Sequence, residues 1–375
     1  MKIEHFKMER MQSIWEFVVD YNLSESGVHP IPLHELIQKD ELEELLNLEL
    51  GYIQTKGTTE LRERISDLYP GSTPDQILVT TGSAEANFLS IWSTVEPGDE
   101  VIFMLPNYMQ IWGLLRGFGA IVKPLFLRES LNWAPDLEEL RKLITRKTKM
   151  IIVTNPNNPT GAILSEEAMK TIIEVASKAG AWIVADEVYQ GAELSGITTH
   201  SFYGRYEKTV VTNGLSKAYG LPGLRMGWMI APEIFILKTW PYHDYTTICL
   251  SSLSDRLARI VLSSENREKI LKRTRRILNT NFPLLKKWFH RHRDIISFIP
   301  PQAGAITFFR YNLKINSTAL VDKLIHEKSV LVVPGDHFKT DQYIRIGYGS
   351  EEKHLLRGLD LIGEALLDVK NAESQ

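Results

Sequence analysis

The most unusual residue of this sequence is a lysine that stands among small and apolar neighbours. Lys217 lies in NGLSKAYGLPGLRMGW, residues 213–228, between Ser216 and a glycine-rich loop. Lysine is usually a solvated surface residue, so an amine among apolar neighbours indicates a functional role rather than a structural one. A desolvated lysine acts as a nucleophile and forms a Schiff base with an aldehyde. The stretch therefore predicts that Lys217 is a reactive amine in a pocket.

Polar residues also follow other apolar strand patterns. In TGSAEA, Gly82 and Ser83 could present N–H groups and a hydroxyl to a phosphate, although a glycine turn with Ser83 as helix cap is an open alternative. In NPNNPTG, two prolines fix φ, Gly161 is expected at positive φ, and Asn158 adds an amide donor. Asp186 ends WIVAD, where a carboxylate needs a cation or several donors; a capping or ion-pair role stays open.

Two further side chains could reach the same ligand. Tyr189 comes three residues after the aspartate, and Arg225 follows Lys217 by eight residues. The apolar neighbours Leu224 and Met226 argue against full exposure of that arginine. An anion-binding helix end, an aspartate for a protonated ring nitrogen and donors for a phenolate oxygen match the needs of pyridoxal phosphate.

Short apolar strands alternate with helical patterns between about residues 50 and 230. The predicted strands are QILVT, EVIFML, AIVKPLFL, MIIVTN, WIVAD, TVVTN and MGWMI. One of the helices between them, SEEAMKTIIEVASKAG, should be capped by Ser165 and end at Gly180. This alternation predicts an α/β fold with a mainly parallel sheet sandwiched by helices. Ligands bind beyond the carboxyl ends of such strands, so the polar groups should meet at one edge.

The pattern changes after residue 230. A long basic helix pattern, SENREKILKRTRRILNTNFPLLKKWFHRH, precedes a few strands and a terminal helix. This predicts a smaller α+β domain. We expect a large cofactor-binding domain over residues 48–245 and a small domain formed by both termini, residues 1–47 and 246–375.

Composition excludes several classes of partner. The 375 residues include 43 Lys and Arg against 46 Asp and Glu, so no strong field favours nucleic acid or an anionic membrane. Cys249 is the single cysteine, which excludes an internal disulfide framework. No run approaches 18 apolar residues, and the N-terminal residues lack a signal-peptide pattern. We expect a cytoplasmic protein with neither a nucleic-acid nor a membrane partner.

The motifs NPTG, DEVY, GLSK and GLRMGW, in this order and spacing, resemble the class I and II aminotransferases of the fold-type-I pyridoxal-phosphate enzymes. The resemblance covers nearly the whole chain, from NLSESGV to YIRIGYG. It implies amino transfer between an L-amino acid and a 2-oxo acid, in a homodimer with shared active sites. SGVHPIPLHEL, DYTTICLSS and VLVVPGDHF resemble a branch that includes capreomycidine synthase. A pyridoxal-phosphate-dependent lyase or cyclase acting on an amino acid is therefore the alternative.

The same resemblance implies roles for individual residues. Lys217 would carry the cofactor as a Schiff base and move the substrate proton, and Asp186 would pair with the pyridine nitrogen. Asn158 and Tyr189 would hold the phenolic oxygen. Tyr108 would stack on the ring, and Tyr52 would reach the phosphate of the neighbouring subunit. The implied cofactor-binding residues are Gly82, Ser83, Ala84, Tyr108, Asn158, Asp186, Tyr189, Ser216, Lys217, Arg225 and Tyr52.

The substrate side is implied by fewer residues. Arg345 in YIRIGYG matches the arginine that binds the substrate α-carboxylate, and a planar guanidinium suits that group. Asn158 and Gly27 complete the implied substrate site. One departure from the family stands at Gly214, where many relatives have a serine or threonine that contacts the phosphate.

Other functions fit the sequence less well. His290 and His292 lie in a helix rich in lysine and arginine and indicate a solvated face, so no metal site is expected. A nicotinamide oxidoreductase should show a Gly-x-Gly-x-x-Gly turn after an early strand, and none is present. A ligand-sensing module of a transcription regulator needs an attached DNA-binding domain, and the roughly 50 residues before the sheet are neither basic nor long enough for one.

Overall fold

The computed structural model describes residues 3–374. Residues 1, 2 and 375, which fall within the predicted small domain, lie outside the described residues. The chain begins with short helices and one short strand. In chain order they are α1 (Lys7–Trp15), β1 (Tyr21–Asn22), α2 (Leu33–Leu36) and α3 (Lys39–Leu46).

The middle of the chain alternates strands and helices, as the hydrophobic pattern predicts. Its elements are α4 (Thr59–Ser66), β2 (Ile77–Thr80), α5 (Ser83–Trp92), β3 (Glu100–Leu105), α6 (Gln110–Gly117), β4 (Ile121–Arg128), β5 (Ala134–Pro135), α7 (Leu137–Leu143), β6 (Thr148–Thr154), α8 (Glu166–Ala179), β7 (Trp182–Asp186), β8 (Thr209–Gly214), β9 (Gly227–Ile230) and α9 (Glu233–His243). Helix α8 begins and ends as expected: Ser165 accepts a hydrogen bond from the N–H of Ala168, and Gly180 takes a left-handed conformation with φ 68°.

These strands form one eight-stranded sheet in the order β2-β9-β8-β7-β6-β3-β4-β5. The central strands from β8 to β4 are parallel, whereas β9 runs antiparallel to both of its neighbours. Because β2 and β8 both run antiparallel to β9, they run in the same direction as each other. The carboxyl ends of β2, β6, β7 and β8 therefore meet at one edge of the sheet.

Helices cover both faces of this sheet. Along β6, Ile151 packs into one apolar core and Ile152 into the other, because successive side chains of a strand point to opposite faces. Met169 and Ile172 of α8 belong to the first core, and Leu89 of α5 belongs to the second. Burial on both faces explains why these strands read as continuous apolar runs.

The rest of the chain is built from long helices and a small sheet. Its elements are α10 (Ser252–Val261), α11 (Ser264–Arg291), β10 (Ile296–Phe298), β11 (Ile306–Tyr311), α12 (Ser317–Lys328), β12 (Val330–Leu331), β13 (Val333–Pro334), β14 (Tyr343–Gly347) and α13 (Glu352–Glu373). Strands β10, β11, β14 and β13 form an antiparallel sheet in that order. Strand β1 pairs in parallel with β12, so the N-terminal segment contacts the C-terminal part of the chain. The exact domain division stays a prediction.

Within residues 3–374, no helix has both the length and the apolar character needed to cross a membrane. The same residues contain no group of three or more His, Cys, Asp or Glu that could hold a metal ion.

Candidate active site

A cavity of about 280 Å³ lies at the edge of the large sheet where the carboxyl ends of the parallel strands meet. Ten predicted site residues line it: Ser83, Ala84, Tyr108, Asn158, Asp186, Tyr189, Ser216, Lys217, Arg225 and Arg345. Gly82 and Gly27 lie directly beside lining residues. Tyr52 does not line the cavity, and its side chain is 88% exposed.

Asp186, the last residue of β7, is buried and held by two donors. Its Oδ2 accepts a hydrogen bond from Asn87 Nδ2 over 3.0 Å, and its Oδ1 accepts one from the N–H of Val188 over 3.2 Å. Thr212 donates to Asn87 Oδ1 over 2.7 Å, which fixes the orientation of the asparagine amide. Burial raises the pKa of Asp186, while the Asn87 bond, the Val188 N–H and the nearby Lys217 oppose that rise. A cation beside this carboxylate would relieve the cost of its burial.

The start of helix α5 is packed closely against the end of the sheet. Gly82 precedes the helix with φ 81°, and a Cβ at Gly227 would stand 2.3 Å from the backbone nitrogen of Ser83. Ser83 is the first helical residue rather than the cap, and no side chain caps the helix. The alternative reading of Ser83 as a helix cap is therefore wrong. The N–H groups at this positive helix end stay available to an anion.

Arg225 lies beside this helix start. A Cβ added to Gly82 would come within 2.6 Å of its Nη2, so the missing side chain makes room for the guanidinium. Arg225 Nη1 donates to the carbonyl oxygen of Pro222 over 3.1 Å and to Ser216 Oγ over 3.5 Å. The residue belongs to the exposed part of the surface in the single chain, while its neighbour Met226 is buried.

Lys217 follows β8 by three residues, and its side chain is only 28% exposed. Gly27 packs against it, because a Cβ there would stand 3.7 Å from both Cα and Cδ of the lysine. Lys217 Nζ lies 3.9 Å from Glu25 Oε2. The amine thus lies in the cavity, and its single ion pair within residues 3–374 is this long contact.

Arg345, on β14, is 1% exposed and supported by neutral oxygens. Its Nη1 donates to Asn158 Oδ1 over 3.0 Å, and its Nη2 donates to the carbonyl oxygen of Ser24. Within residues 3–374, no carboxylate forms an ion pair with this guanidinium. Burial lowers the pKa of Arg345, because it disfavours the charged form. Because Asn158 uses its oxygen for Arg345, its amide nitrogen is the donor left for a ligand.

Two tyrosines complete the cavity. Tyr189 is 2% exposed, and its hydroxyl has no hydrogen-bond partner in the described part of the chain. Burial raises the pKa of Tyr189, while the positive charges of Lys217 and Arg345 and the nearby side chain of Ser26 oppose that effect. The Ser26 hydroxyl is near enough to act on this pKa but forms no hydrogen bond of normal geometry with Tyr189. Tyr108 donates from its hydroxyl to Glu9 Oε1 over 3.0 Å, which connects helix α1 to the cavity.

Sequence reasoning missed Asn87 and the residues that α1 contributes. Asn87 comes four residues after Ser83, one helical turn along α5, so its spacing alone pointed at the same cavity. Helix α1 presents polar residues at helical spacing, but nothing in the sequence indicates that this face turns toward the sheet edge. The α1 residues that line the cavity, with Glu16 directly after the helix, are Met8, Glu9, Gln12, Ser13 and Glu16.

Residues 22–362 match the family described as aminotransferase class I and II. The chain belongs to this family. Among relatives, a capreomycidine synthase from Streptomyces vinaceus is 30% identical over 93% of this chain and 90% of its own length. An aspartate aminotransferase from Thermotoga maritima is 28% identical over 91% and 90% of the two chains. The crystal structure of a PLP-dependent aminotransferase from Streptococcus suis matches with a TM-score of 0.93 and 34% identity over 98% of this chain and 99% of that one.

Family membership confirms the resemblance and the fold class predicted from the sequence, and it indicates pyridoxal phosphate as the cofactor. The residues that line the cavity also fit pyridoxal phosphate, on grounds independent of family membership. The buried Tyr189 hydroxyl lacks a partner, and the buried Asp186 carboxylate has no ion pair within residues 3–374. The glycine-backed start of α5 leaves room for an anion beside Arg225.

Proposed function

We propose that this pyridoxal-phosphate enzyme is an aminotransferase that moves an amino group between an L-amino acid and a 2-oxo acid. The observation that carries the proposal is the guanidinium of Arg345. It is 99% buried in the cavity that also holds Lys217 and Asp186, and it lacks a carboxylate partner in residues 3–374. A buried cation without a counter-ion is costly, so a ligand carboxylate is the group that it fits.

Several residues of the cavity suit the cofactor. The N–H groups of Ser83 and Ala84, with Arg225 and Ser216, would hold the phosphate at the positive end of α5. The other polar groups surround the space for the ring: Asp186 for a protonated ring nitrogen, Asn158 Nδ2 and the Tyr189 hydroxyl for the phenolic oxygen, and Tyr108 for stacking. When bound, pyridoxal phosphate supplies an aldehyde for condensation with an amine and an electron sink for the charge left at Cα.

Lys217 is the base in this proposal. It contributes the only amine that lines the cavity within the described residues, and it can take the proton from Cα of the substrate and return it to a neighbouring carbon. Arg345 holds the α-carboxylate, which fixes the direction of the Cα–H bond relative to Lys217.

A lyase or cyclase acting on an amino acid is a second candidate. It is favoured by the 30% identity to a capreomycidine synthase, and such an enzyme needs the same base and carboxylate site. Incubation of the cofactor-loaded protein with one equivalent of an amino acid distinguishes the two. Amino transfer leaves the amine form of the cofactor and an equimolar 2-oxo acid. Return of the aldehyde form with release of ammonia or a cyclised product, for every substrate that reacts, would overturn amino transfer.

We also propose a homodimer with shared active sites, in the cytoplasm. Tyr52 stands away from the cavity of its own chain and is 88% exposed, which suits a residue that acts in a neighbouring subunit. Large apolar side chains are exposed as well, and in a monomer they would be solvated at a cost. The most exposed of them are Phe17, Leu46, Leu50 and Tyr245.

A further inference from the structure

One wall of the cavity is formed by three carboxylates. Glu9 and Glu16 stand seven residues apart, two helical turns, and therefore lie on the same side of α1 and its end. Glu25, in the segment after β1, joins them. Within residues 3–374, neither Glu9 nor Glu16 forms an ion pair with a cation, and Glu25 has only the 3.9 Å contact with Lys217.

The cations that line the cavity all have other tasks under the proposed function. Arg225 serves the phosphate, Lys217 the cofactor aldehyde and Arg345 the substrate carboxylate. Asp186 is matched by the protonated ring nitrogen. The carboxylates of Glu9, Glu16 and Glu25 are then the charged groups of the lining that have no counter-ion.

The three carboxylates are close enough to interact. Burial raises the pKa of Glu16, and the charges of Glu25 and Glu9 raise it further. Glu25 and Glu9 also act on Arg345, so the acidic wall lies within electrostatic reach of the guanidinium proposed to bind the substrate carboxylate. A negative substrate side chain would add a fourth like charge here, whereas a positive one would relieve the repulsion.

The cavity itself shows independent signs of a ligand. The Tyr189 hydroxyl is buried without a partner, and the Arg345 guanidinium is 99% buried without a carboxylate in the described residues. These two groups mark the position of a cofactor and an α-carboxylate. The acidic wall then faces the remainder of the same ligand.

We propose that the substrate is an amino acid whose side chain carries an amine or a guanidinium, bound by Glu9, Glu16 and Glu25. This inference rests on the proposed function, because it assumes that Arg345 takes the α-carboxylate. It assigns the substrate class by charge and sets this chain apart from enzymes that select an acidic side chain.

The test compares amino acids of matched shape on the cofactor-loaded protein. L-Arginine and L-citrulline have nearly the same size, but only arginine carries a positive side chain; L-ornithine and L-glutamate extend the series. Dissociation constants come from the change of cofactor absorbance during titration. We expect arginine to bind at least about tenfold more tightly than citrulline, and glutamate to bind more weakly than either.

Substitution at the wall supplies the second readout. Glu16→Gln combined with Glu25→Gln should reduce the ratio of the citrulline and arginine dissociation constants toward one. Glu174→Gln, at an exposed glutamate of α8 outside the cavity, should leave that ratio unchanged. The ratio is insensitive to a general loss of folded protein, because such a loss affects both ligands alike.

The outcomes separate the two proposals. The acidic wall as the specificity site would be overturned by a response to all four amino acids without preference for the cationic ones. A preference that survives the double substitution would also overturn it. Either result would leave the proposed function standing. A cofactor spectrum that no amino acid changes would overturn the proposed function as well.

Discussion

Asn87 donates a hydrogen bond to the Asp186 carboxylate over 3.0 Å, and Thr212 holds that amide in the required orientation. Within residues 3–374, the other donor to the carboxylate is the N–H of Val188. Burial raises the pKa of Asp186, and the Asn87 bond opposes that rise and favours the ionised form. Under the proposed function, Asn87 would therefore act on the chemistry through Asp186, as a positioning residue.

Replacement of Asn87 tests this relationship. Asn87→Ala should raise the pKa of Asp186, so that the carboxylate takes up a proton at a higher pH than in the parent. We expect kcat to fall about tenfold, which corresponds to the loss of one charge-assisted hydrogen bond. The acid limb of the pH profile should move to higher pH. Thr212→Val is the matched control with the smaller effect, since it leaves the Asn87 donor in place. An unmoved acid limb would assign Asn87 a purely structural role.

Asp186→Asn should damage the chemistry more than it damages cofactor binding. The amide preserves the shape of the side chain but removes the negative charge that would keep a ring nitrogen protonated. We expect turnover to fall by a factor on the order of 100 or more, while the cofactor dissociation constant changes far less. Both are measurable on one preparation, by steady-state kinetics and by absorbance titration. Near-normal turnover would contradict the assigned role.

Tyr52 allows a direct test of shared sites. A Lys217→Ala chain and a Tyr52→Phe chain are each expected to have impaired sites. If Tyr52 acts in the neighbouring subunit, a mixed dimer contains one site with both residues intact, so co-refolded mixtures should recover activity above either parent. Mixtures no more active than the sum of the separate chains, or a monomeric mass under active conditions, would contradict the arrangement.

Much of the fold followed from the sequence because burial leaves a strong pattern. The seven predicted strands of the large sheet are all present, and their ends agree within about two residues with those in the structure. The short strand β5 was missed, since two residues carry no periodicity. The stretch VLVVP reads as one strand but forms β12 and β13, which pair with different partners.

The site was predictable to the extent that its residues follow strands. Asp186 and Lys217 stand at the carboxyl ends of β7 and β8, where topology alone brings them together. Glu9 and Glu16 reach the cavity through tertiary packing of α1, which no local pattern encodes. Asn87 falls between these cases. Its position one helical turn after Ser83 on α5 indicates that it faces the same cavity, but it was not among the predicted site residues.

A buried carboxyl next to Asp186 should make stability depend on pH. Burial raises the pKa of Glu187 to about 8 from 4.5, while the N–H of Phe202 donates to its Oε1 over 2.8 Å. Between these two values the folded state binds more protons than the unfolded state, so the free energy of unfolding falls as pH rises. The slope is at most about 1.4 kcal/mol per pH unit for one proton.

Glu187→Gln should remove this dependence, since the amide cannot ionise and its oxygen still accepts from the Phe202 N–H. Urea unfolding at several pH values between 4.5 and about 8 gives the comparison, and the variant should gain stability over the parent toward the upper end. Parallel pH curves for the two proteins would show that Glu187 ionises normally. The exposed Glu174→Gln variant controls for a change in net charge.

Gly214 stands where the resemblance to the family implies a serine or threonine, and its surroundings predict that introducing a serine will not create a phosphate contact. A Cβ at this position would stand 2.9 Å from the carbonyl oxygen of Met226 and 3.2 Å from Cα of Gly227, both backbone atoms that cannot rotate away. It would also approach within 3.6 Å of the backbone nitrogen of Ser83, at the start of α5. Gly214→Ser should therefore destabilise the protein by about 1–3 kcal/mol and weaken cofactor binding through displacement of that helix start.

Gly223→Ser is the matched control, because Gly223 is exposed and nothing lies within 4 Å of the added Cβ. It should unfold at the same denaturant concentration as the parent. The measurements are chemical unfolding of the cofactor-loaded proteins and cofactor affinity by absorbance titration. Tighter cofactor binding by Gly214→Ser at unchanged stability would show that the backbone around Met226 and Ser83 yields to the side chain. The family contact would then be available to this chain, and close packing would not be the reason for the glycine.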